Sequence, residues 1–384
     1  MFLKKLEEKN KSFIDVAIKL HQEGEILPDS YVIDITTLLE NAKKMLEVAN
    51  KKNIKLLFML KQLGRNPYIA QKLVELGYEG AVVVDFNEAK VMMKNDIPIG
   101  NVGNLVQTPK ALIKELVDYG VGVFTVFSME KLESINEASK SLNKIQNVIV
   151  KVYSDEDYFY SGQESGINIK ELDVFVKQAK KLKNINIIGA TSFPTFLFNY
   201  NTNSIEKQTN YYIVYKAKDI LENNGIDVKH INLPSVTCID NIINNFEGDN
   251  IYGEPGHGLS GSTPAHAYND LEEKACVLYL SEVSHNFNNK AYVYGGGYYR
   301  RSHVENAIIS NGKEMEYDKV LEMEADNIDY YFMLDNKHDI GDTVIMSFRF
   351  QIFVTRSRVV LLEKDGSEFK IVGIYDSLGG KYDE

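Results

Sequence analysis

The sequence predicts an α/β fold in which a (β/α)8 barrel is followed by an all-β domain, and three observations indicate it. Eight short apolar segments lie between residues 56 and 256, and segments with helical periodicity separate them. Strands that alternate with helices form parallel sheets, and eight such units within about 230 residues have the size of a TIM barrel. Beyond residue 270, strand-like segments follow one another with only turn signals between them, which is typical of a separate β domain.

The predicted barrel strands are short, apolar and bounded by turn-forming residues. They cover residues 56–60, 80–85, 97–103, 122–128, 147–152, 185–191, 230–235 and 250–256. An open, doubly wound sheet is the alternative, but it requires a glycine-rich turn after the first strand. The segment 61–65 (Lys-Gln-Leu-Gly-Arg) is not such a turn, so the closed barrel is the favoured fold.

Three regions follow from these patterns. Residues 1–29 have the apolar spacing of one or two amphipathic helices and end in a turn, so we expect a helical segment that can dock on the β domain. The barrel is expected over residues 30–265, beginning with the short strand 31–35, and the β domain over 266–384. The predicted strands of the β domain lie at 276–280, 291–294, 343–346, 352–355, 359–362 and 369–375.

Composition excludes several classes of function. The chain has 384 residues and a formal net charge of −11, which disfavours nucleic acid and anionic membrane surfaces as partners. No segment approaches the roughly 20 apolar residues that cross a bilayer, and the charged N-terminus lacks the apolar core of a signal peptide. Cys238 and Cys276 are far apart and lack the spacing of a metal site. We therefore expect a cytoplasmic protein.

Lys61 follows the first barrel strand directly, and in a (β/α)8 barrel the chemistry lies at the carboxyl ends of the strands. A lysine there has its stem in the core and its amine in a cleft, where desolvation lowers the pKa of an amine. Such an amine is suited to forming a Schiff base. The alternative is that Lys61 merely extends out of the end of the strand.

A second feature follows the eighth strand. Glu254 leads into the loop 255–263, which is rich in glycine and hydroxyl side chains. Such a loop offers backbone N–H groups and hydroxyls to a phosphate, although a linker into the next domain can look similar. The first and eighth strands are neighbours in a closed barrel, so this loop and Lys61 together indicate a phosphorylated carbonyl cofactor. Pyridoxal 5'-phosphate (PLP) is the cofactor that needs both.

These motifs resemble those of the fold-type III PLP enzymes, the alanine racemase and ornithine decarboxylase superfamily. The segment 59–62 lies where that family has its Schiff-base lysine, and 233–235 resembles a segment whose serine helps to bind the phosphate. The segment 254–257 (Glu-Pro-Gly-His) resembles the Glu-Pro-Gly-Arg of the decarboxylases. Longer motifs resemble the YhfX-type branch over nearly the whole chain. They lie at residues 58–67, 253–257, 281–287, 295–301 and 351–357.

The resemblance implies PLP as the cofactor, bound as a Schiff base to Lys61. It also implies that Ser235 and the loop residues Gly256, His257 and Gly258 contribute to the phosphate site. The cofactor would then be held by residues from both ends of the predicted barrel sequence.

The same resemblance places Glu254 against the pyridine nitrogen of the cofactor. A carboxylate there keeps that nitrogen protonated and makes the ring a strong electron sink. Alanine racemases have an arginine at this position, so the sequence departs from them and agrees with the decarboxylases. The alternative is an acidic residue that faces only the amides of its own loop.

Further candidates surround the expected cofactor. The superfamily often has a histidine stacked on the ring after the sixth strand, and here Thr191 or Phe193 would pack there instead. Gln62 and Arg65 could bind the substrate carboxylate or the cofactor hydroxyl, or they could occupy an exposed helix face. Arg300, in the C-terminal domain, is a further candidate for substrate binding.

A racemase needs a proton donor on each face of the planar carbanion, and Lys61 serves only one face. Alanine racemases use a tyrosine from the partner subunit on the other face, which implies a homodimer with shared sites. The matching stretch here makes His285 the first candidate, because imidazole titrates near neutrality. Tyr298 and Tyr294 are the alternatives, and His285 could instead be a hairpin residue bonded to backbone.

The sequence therefore predicts a PLP-dependent amino-acid racemase or epimerase. An amino-acid decarboxylase or lyase is the first alternative, and a non-catalytic PLP-binding protein is the second. A barrel that binds no cofactor is a third, which a visible spectrum would distinguish. The D-serine dehydratase branch has a zinc site in its C-terminal domain, but residues 348–352 here contain neither histidine nor cysteine, so no metal is expected.

Overall fold

The computed structural model describes residues 1–366 and 368–383, and the chain divides into two compact units. The sheet unit comprises residues 1–42, 61–66 and the described residues from His257 onward. The barrel unit comprises residues 43–60 and 67–256.

Strands and helices alternate through the middle of the chain, and strands dominate its C-terminal third. The strands are β1 (Ser30–Asp34), β2 (Lys55–Leu56), β3 (Ala81–Val82), β4 (Ile99–Val102), β5 (Val123–Val126), β6 (Gln146–Tyr153), β7 (Ile167–Asn168), β8 (Ile185–Thr191), β9 (Phe196–Asn199), β10 (Ser204–Lys207), β11 (His230–Asn232), β12 (Ile251–Gly253), β13 (Val277–Phe287), β14 (Lys290–Tyr294), β15 (Asn306–Ser310), β16 (Met315–Lys319), β17 (Tyr331–Leu334), β18 (Thr343–Met346), β19 (Arg358–Asp365) and β20 (Glu368–Tyr375). The α-helices are α1 (Phe2–Gln22), α2 (Ile35–Lys51), α3 (Pro67–Leu76), α4 (Phe86–Lys94), α5 (Ile113–Tyr119), α6 (Met129–Ser141), α7 (Leu172–Ala179), α8 (Thr209–Asn223), α9 (Ile239–Asn245) and α10 (Pro264–Tyr268).

The barrel unit contains a parallel sheet in the order β2-β12-β11-β8-β6-β5-β4-β3. The segment after β2 closes it, because the Phe58 N–H donates to the Gly80 carbonyl at 3.0 Å and the Val82 N–H donates to the Phe58 carbonyl at 2.7 Å. Each of the eight predicted strands has its counterpart here, so the predicted barrel is confirmed. The short strand β7 and the β9–β10 ribbon are additions that the sequence analysis did not predict.

The sheet unit contains a mostly antiparallel sheet in the order β16-β15-β18-β13-β1-β19-β20, with β14 and β17 continuing from β13. The predicted C-terminal β domain is thus confirmed as a fold. One predicted strand, at residues 352–355, is wrong, because Ile352–Val354 form a 3-10 turn. The Thr355 hydroxyl donates to the Ile352 carbonyl at 2.7 Å, a local bond that competes with strand pairing.

Strand β1 corrects the expected start of the barrel at residue 30. It pairs antiparallel with β13 and parallel with β19, so it is a central strand of the antiparallel sheet. All five of its residues are buried. An apolar run of this kind predicts a strand covered on both faces, but it does not say which sheet the strand joins.

Helix α1 buries its apolar face on this sheet. Leu6, Phe13 and Ile14 share a core cluster with Leu278 and Val360 of the strands below. The helix bends at Asn10, whose backbone is not helical (φ −150°, ψ 49°). The Asn10 side chain donates to the Asp34 carboxylate at 2.9 Å, so a polar contact marks the bend.

Asp85, at the end of a predicted barrel strand, caps a helix. Its Oδ1 accepts from the N–H groups of Asn87 and Glu88, both at 2.9 Å, at the start of α4. We expect Asp85→Ala to lower the free energy of unfolding by about 1 kcal/mol, because those N–H groups lose their acceptor. Asp85→Asn, which can still cap, should lose only a small part of this. Urea denaturation measures both, and equal losses in the two variants would contradict the capping role.

Candidate functional site

The carboxylate of Glu254 lies at the carboxyl end of the barrel among three asparagine side chains. Glu254 is 7% exposed. Its Oε1 accepts from Asn232 Nδ2 at 2.7 Å and more distantly from Asn101 Nδ2 at 3.4 Å. Asn104 Nδ2 spans both carboxylate oxygens, at 3.2 and 3.1 Å. Hydrogen bonds to the charged form of a carboxylate favour that form, so this cage of three amides is suited to an anionic Glu254.

Lys151 supplies a buried cation at the same end of the barrel unit. Its side chain is 1% exposed. The Nζ donates to the Ser165 hydroxyl at 2.9 Å and to the Asn104 carbonyl at 3.3 Å. It also lies over the rings of Phe127 and Phe193, at 4.8 and 5.8 Å from their centroids. Polar partners and aromatic faces thus enclose an ammonium group that solvent does not reach.

Burial lowers the pKa of Lys151 to about 8, and the negative charge of Glu254 acts in the opposite direction. Strand register explains why these groups come together. Lys151 of β6 pairs with Thr191 of β8, which pairs with Asn232 of β11. Three neighbouring strands therefore carry polar residues at one level of the barrel.

Thr191 supports this polar layer through its hydroxyl. Its Oγ1 donates to the Asn232 carbonyl at 3.1 Å and lies 3.2 Å from Asn232 Nδ2. Phe193, the other ring-packing candidate, is half-buried and has the ring of Tyr160 at 5.9 Å. Of the two candidates, Phe193 is the one that offers an aromatic face.

The turn after β11 has unusual backbone geometry. Ser235 and Val236 both have positive φ angles, 93° and 48°, which is strained for residues other than glycine. Within the described chain, the N–H groups of Ser235, Val236 and Thr237 donate to no protein acceptor. The Ser235 hydroxyl, by contrast, donates to the Phe196 carbonyl at 2.8 Å. The predicted phosphate contact of Ser235 is therefore available from its backbone rather than its hydroxyl.

In the sheet unit, residues 61–66 begin with the 3-10 turn Lys61–Leu63. Lys61 is half-buried, whereas Gln62 and Arg65 are buried, which contradicts an exposed helix face for either. The Arg65 guanidinium lies 5.1 Å from the ring centroid of Phe353. Among the described residues, Gln62 Oε1 finds no hydrogen-bond partner, so it is an acceptor that a ligand could satisfy.

His257 is a neutral residue tied to the backbone. Its Nε2 lies 2.7 Å from the Phe350 carbonyl and must therefore carry the proton that it donates. Burial, followed by the charge of Arg349, lowers the pKa of His257 to about 3. Its imidazole cannot act as a cation toward a phosphate at neutral pH. Only the backbone of His257 remains suitable for the predicted phosphate contact.

The hydroxyls of the loop after β12, which the sequence offers as phosphate ligands, form hydrogen bonds inside the loop. Ser260 Oγ donates to the His257 carbonyl at 3.2 Å and lies 2.8 Å from Ser262 Oγ, while Thr263 Oγ1 lies 2.7 Å from His266 Nδ1. These groups satisfy one another inside the loop. In the described chain, however, the N–H groups of Gly256, His257 and Gly258 donate to no protein acceptor. The backbone of this segment, rather than its hydroxyls, can therefore bind an anion.

His285 lies on β13 in the β13–β14 hairpin. Its ring stacks on Tyr292 at 4.8 Å, meets Tyr331 edge-on at 5.1 Å, and has Ser284 Oγ at 3.2 Å from Nδ1. His285 is thus a hairpin residue, as the alternative interpretation predicted. Its imidazole, however, contacts a hydroxyl and two aromatic rings rather than the backbone.

The remaining candidates follow the glycine-rich segment after β14. The Tyr298 N–H donates to the Asp329 carboxylate at 3.1 Å, and its half-buried ring lies 6.1 Å from that of Phe332. Arg300 is exposed, and its guanidinium donates to the Ala325 carbonyl at 2.8 Å. Tyr298 thus contributes its backbone N–H and its ring to the packing of this segment.

Comparison with known families agrees with this geometry. Residues 33–264 match the family model "Alanine racemase, N-terminal domain", and residues 278–368 match "YhfX-like, C-terminal domain". The protein YhfX of Escherichia coli (strain K12) is 38% identical over 382 residues, which is 99% of each chain. The chain belongs to the YhfX-like branch of the fold-type III PLP enzyme superfamily. The predicted resemblance is therefore confirmed.

Solved structures of this superfamily share the fold. An alanine racemase from Clostridium difficile 630 has a TM-score of 0.64 at 20% identity, covering 91% of this chain and 98% of its own. Diaminopimelate decarboxylase from M. jannaschii, in complex with L-lysine, has a TM-score of 0.65 at 17% identity, covering 94% of this chain and 93% of its own. At such identities the likeness establishes the fold, and members of both enzyme types use PLP.

The sequence analysis identified Glu254 but did not connect it with Asn101, Asn104 and Asn232, the three asparagines whose amides surround it. It missed Lys151 altogether. The available signal was a lysine within the otherwise apolar run 148–152, because a charge in a buried strand needs compensation.

In the described part of the chain, no helix is long and apolar enough to cross a membrane, and no three His, Cys, Asp or Glu side chains group as metal ligands.

Proposed function

We propose that the protein is a PLP-dependent enzyme that acts at Cα of an amino acid, by racemisation or epimerisation. The observation that carries the PLP assignment is the buried carboxylate of Glu254, which accepts hydrogen bonds from three asparagine amides at the position where decarboxylases of the superfamily have a glutamate. A carboxylate held as an anion by three amides is suited to accept a hydrogen bond from a protonated ring nitrogen.

The donor groups present fit PLP in chemical terms. Lys61 supplies the amine for the carbonyl of the cofactor, a role that rests on the resemblance. The N–H groups of residues 235–237 and of 256–258 supply donors for a phosphate, and they lack protein acceptors in the described chain. Phe193 supplies an aromatic face and Gln62 an unsatisfied oxygen. When bound, PLP supplies the electron withdrawal that weakens bonds at Cα.

The residues of the chain then divide the proton transfers. Lys61 removes or returns the Cα proton on one face, and the opposite face needs a second acid. His285 is our first candidate for it and Tyr298 the second. Arg65 and Arg300 are the proposed partners of the substrate carboxylate, and the exposed guanidinium of Arg300 is the more accessible in this chain.

Decarboxylation or elimination is the second candidate function. Glu254 favours it, because the decarboxylases rather than the alanine racemases have a glutamate at this position. The two candidates differ in product. Racemisation inverts Cα and keeps the carboxylate, whereas decarboxylation releases CO₂.

We further propose a cytoplasmic homodimer with shared active sites, following the family resemblance. Light scattering of the purified protein would measure its mass, and a monomeric mass would contradict this proposal. In a monomer, no partner subunit could supply His285 as the second proton donor.

The function is tested by incubating the PLP-loaded protein with individual amino acids in deuterated water. A substrate should acquire deuterium at Cα, and chiral chromatography should show the opposite enantiomer. Release of CO₂ without inversion would replace the racemase proposal by the decarboxylase one. Failure to bind PLP, seen as the absence of visible absorbance, would contradict both.

His285→Ala tests the second proton donor. The variant should still exchange the Cα proton of one enantiomer through Lys61 but should interconvert the enantiomers at least about 100-fold more slowly. Tyr298→Phe is the matched comparison, because it removes the hydroxyl of the rival candidate. Normal racemisation by the His285 variant, together with loss in the Tyr298 variant, would transfer the role to Tyr298.

A further inference from the structure

Lys151 is a buried charge that the proposed reaction does not use. A charged side chain in a barrel strand loses most of its hydration, and this loss destabilises the fold unless an opposite charge compensates it. Two hydrogen bonds and two aromatic faces satisfy its donors but leave its charge to be balanced. In the described chain, Glu254 is the charged group that raises the pKa of Lys151 against the effect of burial.

Asn104 connects this lysine to the carboxylate. Its backbone carbonyl accepts from Lys151 Nζ at 3.3 Å, and its side-chain amide donates to both oxygens of Glu254, at 3.2 and 3.1 Å. The Lys151 ammonium therefore binds the backbone carbonyl of Asn104, and the side-chain amide of Asn104 orients the Glu254 carboxylate. All three residues belong to the barrel unit.

We propose that Lys151 is the counter-ion of Glu254, and that Asn104 joins the two so that the carboxylate is ionised and oriented before any cofactor binds. The inference deepens the proposed function, because it makes Lys151 a positioning residue for the cofactor's ring-nitrogen partner. The charge pairing itself can be measured without the cofactor.

The rival explanation is purely structural. Lys151 also binds Ser165 and packs between Phe127 and Phe193, so it could simply hold the loop after β6 in place. A structural residue would destabilise the protein when replaced, but the loss would not depend on whether residue 254 is charged.

A double-mutant cycle on the cofactor-free protein separates the two explanations. Lys151→Met keeps much of the side-chain volume without its charge, and Glu254→Gln does the same for the carboxylate. Each single variant removes one charge of the pair and leaves the other buried, so both should unfold at lower urea concentrations. The double variant should be more stable than the sum of the single losses predicts, by about tenfold or more in the folding equilibrium constant. Additive losses would overturn the proposal.

A carboxyl titration gives a second measure. The ¹³C carboxyl resonance of Glu254, assigned by its absence in Glu254→Gln, should protonate at a pH at least about one unit higher in Lys151→Met than in the wild type. Lys131→Met is the matched control, because Lys131 is also partly buried and donates to a backbone carbonyl, that of Thr108. An unchanged Glu254 titration in Lys151→Met would overturn the pairing.

If Lys151→Met does not fold, Lys151→Arg provides the test in its place. This variant keeps the charge and should leave the pH at which Glu254 titrates within about 0.5 unit of the wild-type value. A rise of a full unit in that variant would overturn the counter-ion role. The outcome is also separable from that of the proposed function. Non-additive stability losses without visible PLP absorbance would support the pairing of Lys151 with Glu254 and refute PLP as the cofactor. PLP binding with additive losses would support the cofactor and refute the pairing.

Discussion

Replacing Lys61 by alanine is expected to abolish covalent attachment of PLP. The wild type, loaded with PLP, should absorb at about 420 nm, and borohydride should fix the cofactor permanently to Lys61. Lys61→Ala removes the one amine that the resemblance assigns to the cofactor's carbonyl, so both signals should disappear. Peptide mapping after reduction identifies the modified residue.

Lys72→Ala is the control for this experiment. Lys72 lies in α3 close to Lys61 in sequence, where its side chain pairs with Glu75 at 3.1 Å. This variant should retain the absorbance and the adduct on Lys61. An adduct on Lys151, the lysine whose pKa burial lowers to about 8, would contradict the assignment and would make Lys151 the reactive amine.

Glu254→Gln is expected to retain PLP but to slow Cα–H exchange by about 100-fold or more. The glutamine has the same shape but cannot hold a proton on the ring nitrogen, so charge that develops in the transition state is less well stabilised. Its amide nitrogen would also face the three asparagine donors. Asn104 and Asn232 each have a buried Oδ1 that finds no partner in the described chain, so rotation of their amides can accommodate the change.

Asn101→Ala is the graded comparison for Glu254→Gln. Asn101 makes the longest of the cage contacts, at 3.4 Å, so its loss should slow exchange far less. The measurement is deuterium incorporation at Cα under saturating PLP. Unchanged exchange in Glu254→Gln would show that Glu254 does not serve the ring nitrogen.

Local sequence patterns were sufficient to predict the barrel strands, two of the candidate site residues and the family. The alternation of apolar and helical segments predicted all eight barrel strands, because a parallel strand buried on both faces must be apolar throughout. The sequence also predicted that Lys61, after the first strand, and Glu254, after the last, lie at the same edge of the sheet, since the carboxyl ends of parallel strands meet there. Motifs around these residues were long enough to indicate the family.

Only the tertiary structure decided which distant groups satisfy one another. Strand β1 joins the antiparallel sheet rather than the barrel, because its apolar pattern specifies burial but not a partner. Ser260 and Ser262 bind each other, although their sequence suggests ligands for a phosphate. Glu254 meets Asn104 across 150 residues of chain and, through it, Lys151. Hydrogen-bond and charge compensation depend on three-dimensional neighbours, which is why a lysine in an apolar strand could be read as an anomaly but not as a counter-ion.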